Sequence, residues 1–332
     1  MPWLRSSARL QARALRALEH ISFSLGCGGV AQRLSRLCPG YFLAQAWLFM
    51  LAWRGIVATQ PFLPWVAQAL FLQALLPMKV CGPIHSEPSW KGANYMHFAT
   101  NYVGWFTSVS VWCALCFPFL YNARPRGLRQ TAMALGLVLV LRSVPTVMHA
   151  SLPQYGVGLD LSAFAPLRLF EYVAGMLFAQ LALELPTGAR SWPHWGRLSD
   201  ACLVLVCVAV CGSRNFVHLP EEGPPQAEFF LCAVWGLHMM SCSLSQDLKA
   251  LGIIDSLLAH PFLVEAAKYS YGAYILQMPF RHTIPFGSIP PGVWWLAQLV
   301  FCWLSGVVVT KILDEPLSHV VRDGLKADPS RN

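Results

Sequence analysis

Apolar runs separated by short polar breaks fill most of the chain, and the breaks carry most of its charge. The runs occupy 41–59, 61–78, 102–121, 130–149, 166–185, 200–217, 226–245, 262–281 and 292–312. Each is close to the ~20 residues that a helix needs to cross a bilayer. Segment 61–78 differs from the rest. It opens Pro61-Phe62-Leu63-Pro64 and closes at Pro77, so it predicts a re-entrant or half helix. The first 20 residues, with Arg5, Arg9, Arg13, Arg16 and Glu19, are too charged to cross a membrane and lack the apolar centre of a signal peptide. They read as a basic amphipathic segment, suited to a membrane surface or to mitochondrial-type targeting.

The basic residues then orient the runs. Arg33 and Arg36 precede the first; Arg124, Arg126 and Arg129 lie between the third and fourth. Arg190 and Arg197 lie between the fifth and sixth, Lys249 between the seventh and eighth, and Arg322, Lys326 and Arg331 after the last. Positive loops face the cytosol. All of these fall on that side if 61–78 does not cross. The expectation is an all-α polytopic membrane bundle of about eight crossings plus one re-entrant or half helix, with both termini cytosolic. The far side then receives 79–101, 150–165, the acidic pair Glu221-Glu222 and the turn 282–291. Three regions follow: 1–32, basic and amphipathic; 33–322, the membrane domain; 323–332, a cytosolic tail.

Composition agrees with that pattern. Charged residues are 12% of the chain, against about 25% in soluble domains. The net charge of +8 is spread between apolar runs rather than gathered in a patch, which excludes nucleic acid as a partner and leaves membrane lipids. Most of the 11 cysteines lie inside apolar runs and behave as small hydrophobes. Cys113 and Cys116 have CxxC spacing but no second ligand pair, and His194, His218, His238, His260 and His282 form no His-x-x-x-His pattern, so no metal site is expected.

Charge inside an apolar run costs several kcal/mol unless paired or wetted, and by default marks function. Arg168 and Glu171 stand one turn apart within Leu167-Arg168-Leu169-Phe170-Glu171-Tyr172-Val173-Ala174-Gly175-Met176. They form a polar site or a simple i, i+3 pair. Arg142, in the run that continues to Pro145 and His149, is a counter-ion for Glu171, a lining residue of the same cavity, or a structural partner. His97, near Asn94 and Asn101, is the imidazole nearest in sequence to Ser108 and Ser110. Those two hydroxyls face either a substrate or the helix backbone. Tyr271, Tyr274 and Gln277, at i, i+3, i+6, form a polar stripe that suits either a site or helix packing.

Several blocks, in order, resemble the acyltransferase 3 family of integral-membrane O-acyltransferases. Arg33-Leu34-Ser35-Arg36-Leu37-Cys38-Pro39 is similar to the family's Arg-x-x-Arg followed by Pro. Trp105-Phe106-Thr107-Ser108-Val109-Ser110 with Phe117-Pro118 resembles its Trp-x-x-Ser-Val-Glu and Phe-Pro. The Leu167–Met176 block is close to Leu-Arg-Leu-Pro-Glu-Phe-x-x-Gly-Met. Tyr269-Ser270-Tyr271-Gly272-Ala273-Tyr274-Ile275-Leu276-Gln277 is like Ile-Ser-Tyr-x-x-Tyr-Leu-x-His, and Glu315-Pro316 like the terminal Glu-x-Pro.

The resemblance implies transfer of an acyl group, usually acetyl, from acyl-CoA to a hydroxyl of a glycan or lipid acceptor. Acyl-CoA is thus the expected donor and no metal is expected. Such chemistry needs a base for the hydroxyl proton, donors for the oxyanion and cations for the donor's phosphates. Arg33 and Arg36 are assigned to the phosphates. His97, Ser108 and Glu171 are assigned to catalysis, and Arg142, Arg168, Tyr271 and Gln277 to substrate binding. The family's proposed catalytic His follows an Arg after ten residues, a spacing that Arg9 and His20 share, so His20 joins the catalytic candidates. Here, however, Arg13, Arg16 and Glu19 intervene where the family has an apolar helix. Ser110 stands where Glu is common and Gln277 where His is common. These departures suggest an N-terminally truncated or divergent member. Alternative readings are a catalytically degenerate member, a small-molecule transporter, and a non-catalytic partner that binds an acyl carrier or lipid.

Overall fold

A computed structural model describes residues 27–56, 62–72, 75, 104–151, 165–215, 225–247, 250–284 and 290–326. Every regular element among them is helical, and no strand occurs among the described residues. In chain order the helices are α1 (Cys27–Trp53), α2 (Phe62–Ala69), α3 (Gly104–Asn122), α4 (Leu128–Ser151), α5 (Ala165–Glu184), α6 (Thr187–Arg190) and α7 (Trp195–Asn215). They continue with α8 (Pro225–Asp247), α9 (Ile253–Leu258), α10 (Pro261–Ala267), α11 (Ser270–Thr283) and α12 (Pro291–Val309). A π-helical turn (Thr310–Asp314) then leads into α13 (Glu315–Lys326).

Six of the nine expected runs return as helices near their expected places, and three differ. The first helix begins at Cys27, well before 41, and carries Pro39 inside it. The run 61–78 is helical in its described part only over Phe62–Ala69. The run 262–281 is not one helix but two, because the chain turns at Lys268 and Tyr269. There the backbone N–H groups of both residues reach back only three residues, to Glu265 and Ala266. The Tyr269 hydroxyl also donates to Glu265 Oε1 at 2.8 Å.

The chain forms two compact units, Leu120–Val264 and the flanking segments that end at Phe119 and resume at Glu265. Within Leu120–Val264, α4, α5, α7 and α8 pack around Leu135, Ala174, Leu177, Phe178, Trp195 and Met240. Gly236 permits the closest approach of α8 to α5: a Cβ there would lie 2.2 Å from the Phe178 ring. Polar side chains tie the helix ends. Glu184 accepts from the Gly127 N–H at 2.9 Å and the Thr131 hydroxyl at 2.7 Å, completing the start of α4. Asp200 accepts from the first N–H groups of α9, at 2.6 Å from Ile253 and 3.1 Å from Ile254.

In the other unit α1 packs on α11 and α13, and α11 on α12, around Tyr41, Ala44, Ile275, Leu276 and Val309. Pro39 removes one N–H from α1 and disturbs the carbonyl pattern around it. Side chains from later elements meet the groups beside it. The Tyr271 hydroxyl donates to the Leu37 carbonyl at 2.7 Å, and the π-helical turn that carries buried Asp314 packs against α1. The carbonyls at the end of α2 are met in the same way. Phe71 is left-handed (φ 57°), and its carbonyl accepts from Ser108 Oγ and from Trp112 Nε1 at 2.9 Å. The Gln68 carbonyl accepts from the Tyr41 hydroxyl at 2.7 Å.

Among the described residues, one continuous helix, Pro291–Gly324, is long and apolar enough to cross a membrane by length and composition. Phe106–Asn122 is a shorter apolar helix.

Candidate functional site: an arginine–glutamate cluster at the end of an apolar groove

The apolar face of α5 buries Leu167, Ala174 and Leu177, and this rotation sets Arg168 and Glu171 toward α4 and α8. Glu171 accepts from two guanidinium groups. Arg168 Nη1 lies 2.8 Å from Oε1 and 2.6 Å from Oε2. Arg142, arriving from α4, places Nε at 3.0 Å and Nη2 at 2.9 Å from Oε1. Arg142 is 1% exposed and paired with Glu171, as both the counter-ion and the structural-partner readings expect, and it is not among the residues that line the adjoining cavity. Arg168 and Glu171, 23% and 24% exposed, do line it. Of the two cations on Glu171, Arg168 is the one that lines the cavity.

That space is a cavity of about 720 Å³ lying wholly within Leu120–Val264. Its walls come chiefly from α5 and α8, with Val206 of α7 and Arg190 of α6. Such a volume falls in the range of small-ligand sites, roughly 300–1,000 Å³. Arg190, which sequence reasoning treated as a loop charge, closes the last turn of α5: Nε and Nη2 donate to the Ala182 and Leu183 carbonyls at 3.0 and 2.9 Å.

The remaining described candidates lie in the other unit. Arg33 packs its guanidinium over the Phe117 ring, 5.3 Å from the centroid. Arg36 Nε lies 3.4 Å from Ser318 Oγ on α13. Ser108 is fully buried and its hydroxyl donates to the Phe71 carbonyl, so its observed partner is backbone. Tyr271 binds the Leu37 carbonyl and lies 3.0 Å from the Thr107 hydroxyl. Gln277 follows on α11, half-buried. His20 and His97 lie outside the described residues, as do the basic segment up to residue 26, the 79–101 stretch and the Glu221-Glu222 pair.

Sequence reasoning missed Thr107 and Ser318, which contact Tyr271 and Arg36, and Asp314, buried on the π-helical turn beside α1. Thr107 sits inside the Trp105–Ser110 block, and Asp314 adjoins Glu315-Pro316, so their neighbourhoods were marked although they were not. A buried contact between Ser199 Oγ and His238 Nδ1, at 3.0 Å, was also unseen. It joins two helices across their packing face. Among the described residues no cluster of His, Cys, Asp and Glu is placed to hold a metal ion.

No curated protein and no solved structure matches the chain. A family does. The acyltransferase 3 family, described as an acyltransferase domain, matches residues 28–313, a span that takes in both the Arg33–Arg36 motif and the Arg142–Glu171–Arg168 cluster. The chain belongs to the acyltransferase 3 family.

Proposed function

We propose that the chain is a multi-pass membrane enzyme that moves an acyl group, acetyl in the family's usual case, from acyl-CoA to a hydroxyl of a glycan or lipid. The observation that carries this reading is the Arg142–Glu171–Arg168 cluster opening onto a ligand-sized cavity. Acyl transfer joins the acceptor oxygen to the thioester carbonyl carbon and breaks the C–S bond. A base takes the hydroxyl proton, and the CoA thiolate leaves and is reprotonated. Arg168, held at the cavity wall by both oxygens of Glu171, is suited to donate to the developing oxyanion. Glu171 then acts as a positioning residue, since its oxygens already accept from two guanidiniums. His97 is the proposed base. Arg33 and Arg36 take the donor's phosphates, and Tyr271 and Gln277 the substrate.

The test is acyl-CoA-dependent labelling of membranes holding the full chain. Arg168→Ala and Arg33→Ala are expected to lower the signal by about 100-fold and tenfold respectively. A signal unchanged in both variants overturns the site. The short α2, ending in captured carbonyls, favours a second reading as a transporter, whose broken helices bind substrate near the membrane midplane. Substrate flux in proteoliposomes without consumption of acyl-CoA would establish that reading instead.

A further inference from the structure

The cavity beside Glu171 is a long groove rather than a rounded chamber. Its α5 wall runs from Arg168 through Glu171, Gly175 and Phe178 to Leu183, one face of the helix followed for four turns. Its α8 wall runs in the same way from Leu231 to Leu244. At 1.5 Å per residue each wall is about 20 Å long, two-thirds of a bilayer's ~30 Å hydrocarbon thickness. A volume of 720 Å³ drawn out over such a length leaves a narrow bore.

Chemistry changes along this bore. Arg168 and Glu171 stand at one end. Beyond them the walls are Phe178, Val206, Leu231, Trp235, Met239 and Met240, apolar and in part flexible. The far end carries Arg190, two of whose donors serve the backbone carbonyls of α5. A glycan presents hydroxyls on every side and requires donors and acceptors along its whole length. This groove offers them only at its two ends, Arg168 and Glu171 at one and Arg190 and Ser243 at the other, with an apolar stretch between.

We propose that the groove holds the hydrocarbon chain of a single-chain amphipathic acceptor, with its hydroxyl beside Glu171 and Arg168. The inference rests on the acyl-transfer reading and narrows its acceptor from glycan or lipid to a long-chain alcohol or an isoprenoid of similar build. The hydroxyl then lies next to the Arg168–Glu171 pair, with Arg168 directed at the carbonyl that it will meet. The same shape would take the acyl chain of a long-chain donor, so the experiment must separate acceptor from donor.

Gly175 supplies the lever. It lines the groove one turn beyond Glu171, and a Cβ there meets nothing within 4 Å. Gly175→Phe therefore directs bulk into the bore rather than into protein. Purified full chain in nanodiscs would be assayed with acetyl-CoA and a series of primary alcohols from octanol to octadecanol, with a soluble oligosaccharide as the other arm. Wild type is expected to prefer the long alcohols, and Gly175→Phe to lower the long-to-short ratio of kcat/KM by about tenfold or more. Equal use of short and long alcohols, or preference for the oligosaccharide, overturns the proposal. So does a preference that follows the donor's chain length instead, tested with acetyl-CoA against palmitoyl-CoA.

Binding of radiolabelled hexadecanol without acyl-CoA separates the two readings. Saturable binding that is weakened by Gly175→Phe, in a chain that transfers no acyl group, sustains the groove and sinks the transfer reading. Retention of bulk phospholipid that hexadecanol does not displace sinks the groove. Should Gly175→Phe fail to fold, Gly175→Leu carries the same ratio test, and an unchanged ratio in a folded variant overturns the proposal.

Discussion

Glu171 serves two guanidiniums that differ in their access to solvent, Arg142 at 1% exposure and Arg168 at 23%. Removing the carboxylate therefore deprives one accessible cation and one buried cation of an anionic partner. Breaking a buried ion pair from one side costs roughly 3–5 kcal/mol, and the 24% exposure of Glu171 discounts this to about 2–3 kcal/mol. Glu171→Ala is thus expected to lower stability in detergent well below that of Arg168→Ala, read as thermal unfolding of the two variants. Adding Arg142→Met to Glu171→Ala should restore much of the loss, because the buried guanidinium that lost Glu171 is then gone. Equal melting of the two single variants would show that Arg142 does not depend on Glu171. Ser108 gives a second test at this scale. Its hydroxyl shares the Phe71 carbonyl with Trp112, so Ser108→Ala leaves that acceptor satisfied. A loss of about 1 kcal/mol with acyl transfer intact is expected; abolished transfer in a folded variant would return Ser108 to the catalytic set. The sequence made Arg168, Glu171 and Arg142 visible because charge in an apolar run is conspicuous. It hid the partner of Ser108, because nothing in the pattern around 61–78 marks a left-handed Phe71 whose carbonyl needs a donor.

At the scale of elements, apolar periodicity located helices and could not show how closely they approach. The run 262–281 read as one span because the break at Lys268 and Tyr269 contains no proline or glycine. At the break Glu265 binds both the Lys268 ammonium and the Tyr269 hydroxyl. The break lets α11 approach α12 with glycine facing glycine. A Cβ on Gly272 would lie 2.8 Å from the Gly306 Cα, and one on Gly306 would lie 2.6 Å from the Tyr269 carbonyl oxygen. The obstacles are backbone atoms, so rotamer changes cannot relieve them. Gly306→Ala is expected to cost about 1–3 kcal/mol by forcing the helices apart, and Gly175→Ala, whose Cβ meets nothing, about zero. Thermal unfolding of the two variants side by side checks the contrast. Gly272 lies in the block that resembles Ile-Ser-Tyr-x-x-Tyr, and packing against Gly306 accounts for a small residue beside Tyr271 there.

For the whole molecule the open quantity is the parity of crossings, and it rests on α2. Eight residues of helix extend about 12 Å, well short of a hydrocarbon core of ~30 Å. The chain after Ala69 does not continue the helix, since Phe71 turns left-handed and three side chains cap the carbonyls that a longer helix would have used internally. A helix of this length fits the proposal that the segment does not cross. Every other basic stretch then falls on one face, from Arg33 and Arg36 through Arg124, Arg126 and Arg129 to Arg322. The proposed arrangement of eight crossings accordingly places both termini in the cytosol. Tags at the N- and C-terminus should both be digested by protease supplied to the cytosolic face, and a tag inserted within 79–101 only by protease supplied to the opposite face. If α2 and its flanks crossed instead, the N-terminal tag would be cut from the far side while the C-terminal tag stayed cytosolic. Arg33 and Arg36 would then face away from the compartment that supplies acyl-CoA, so this one measurement bears on the donor site as well as on the fold.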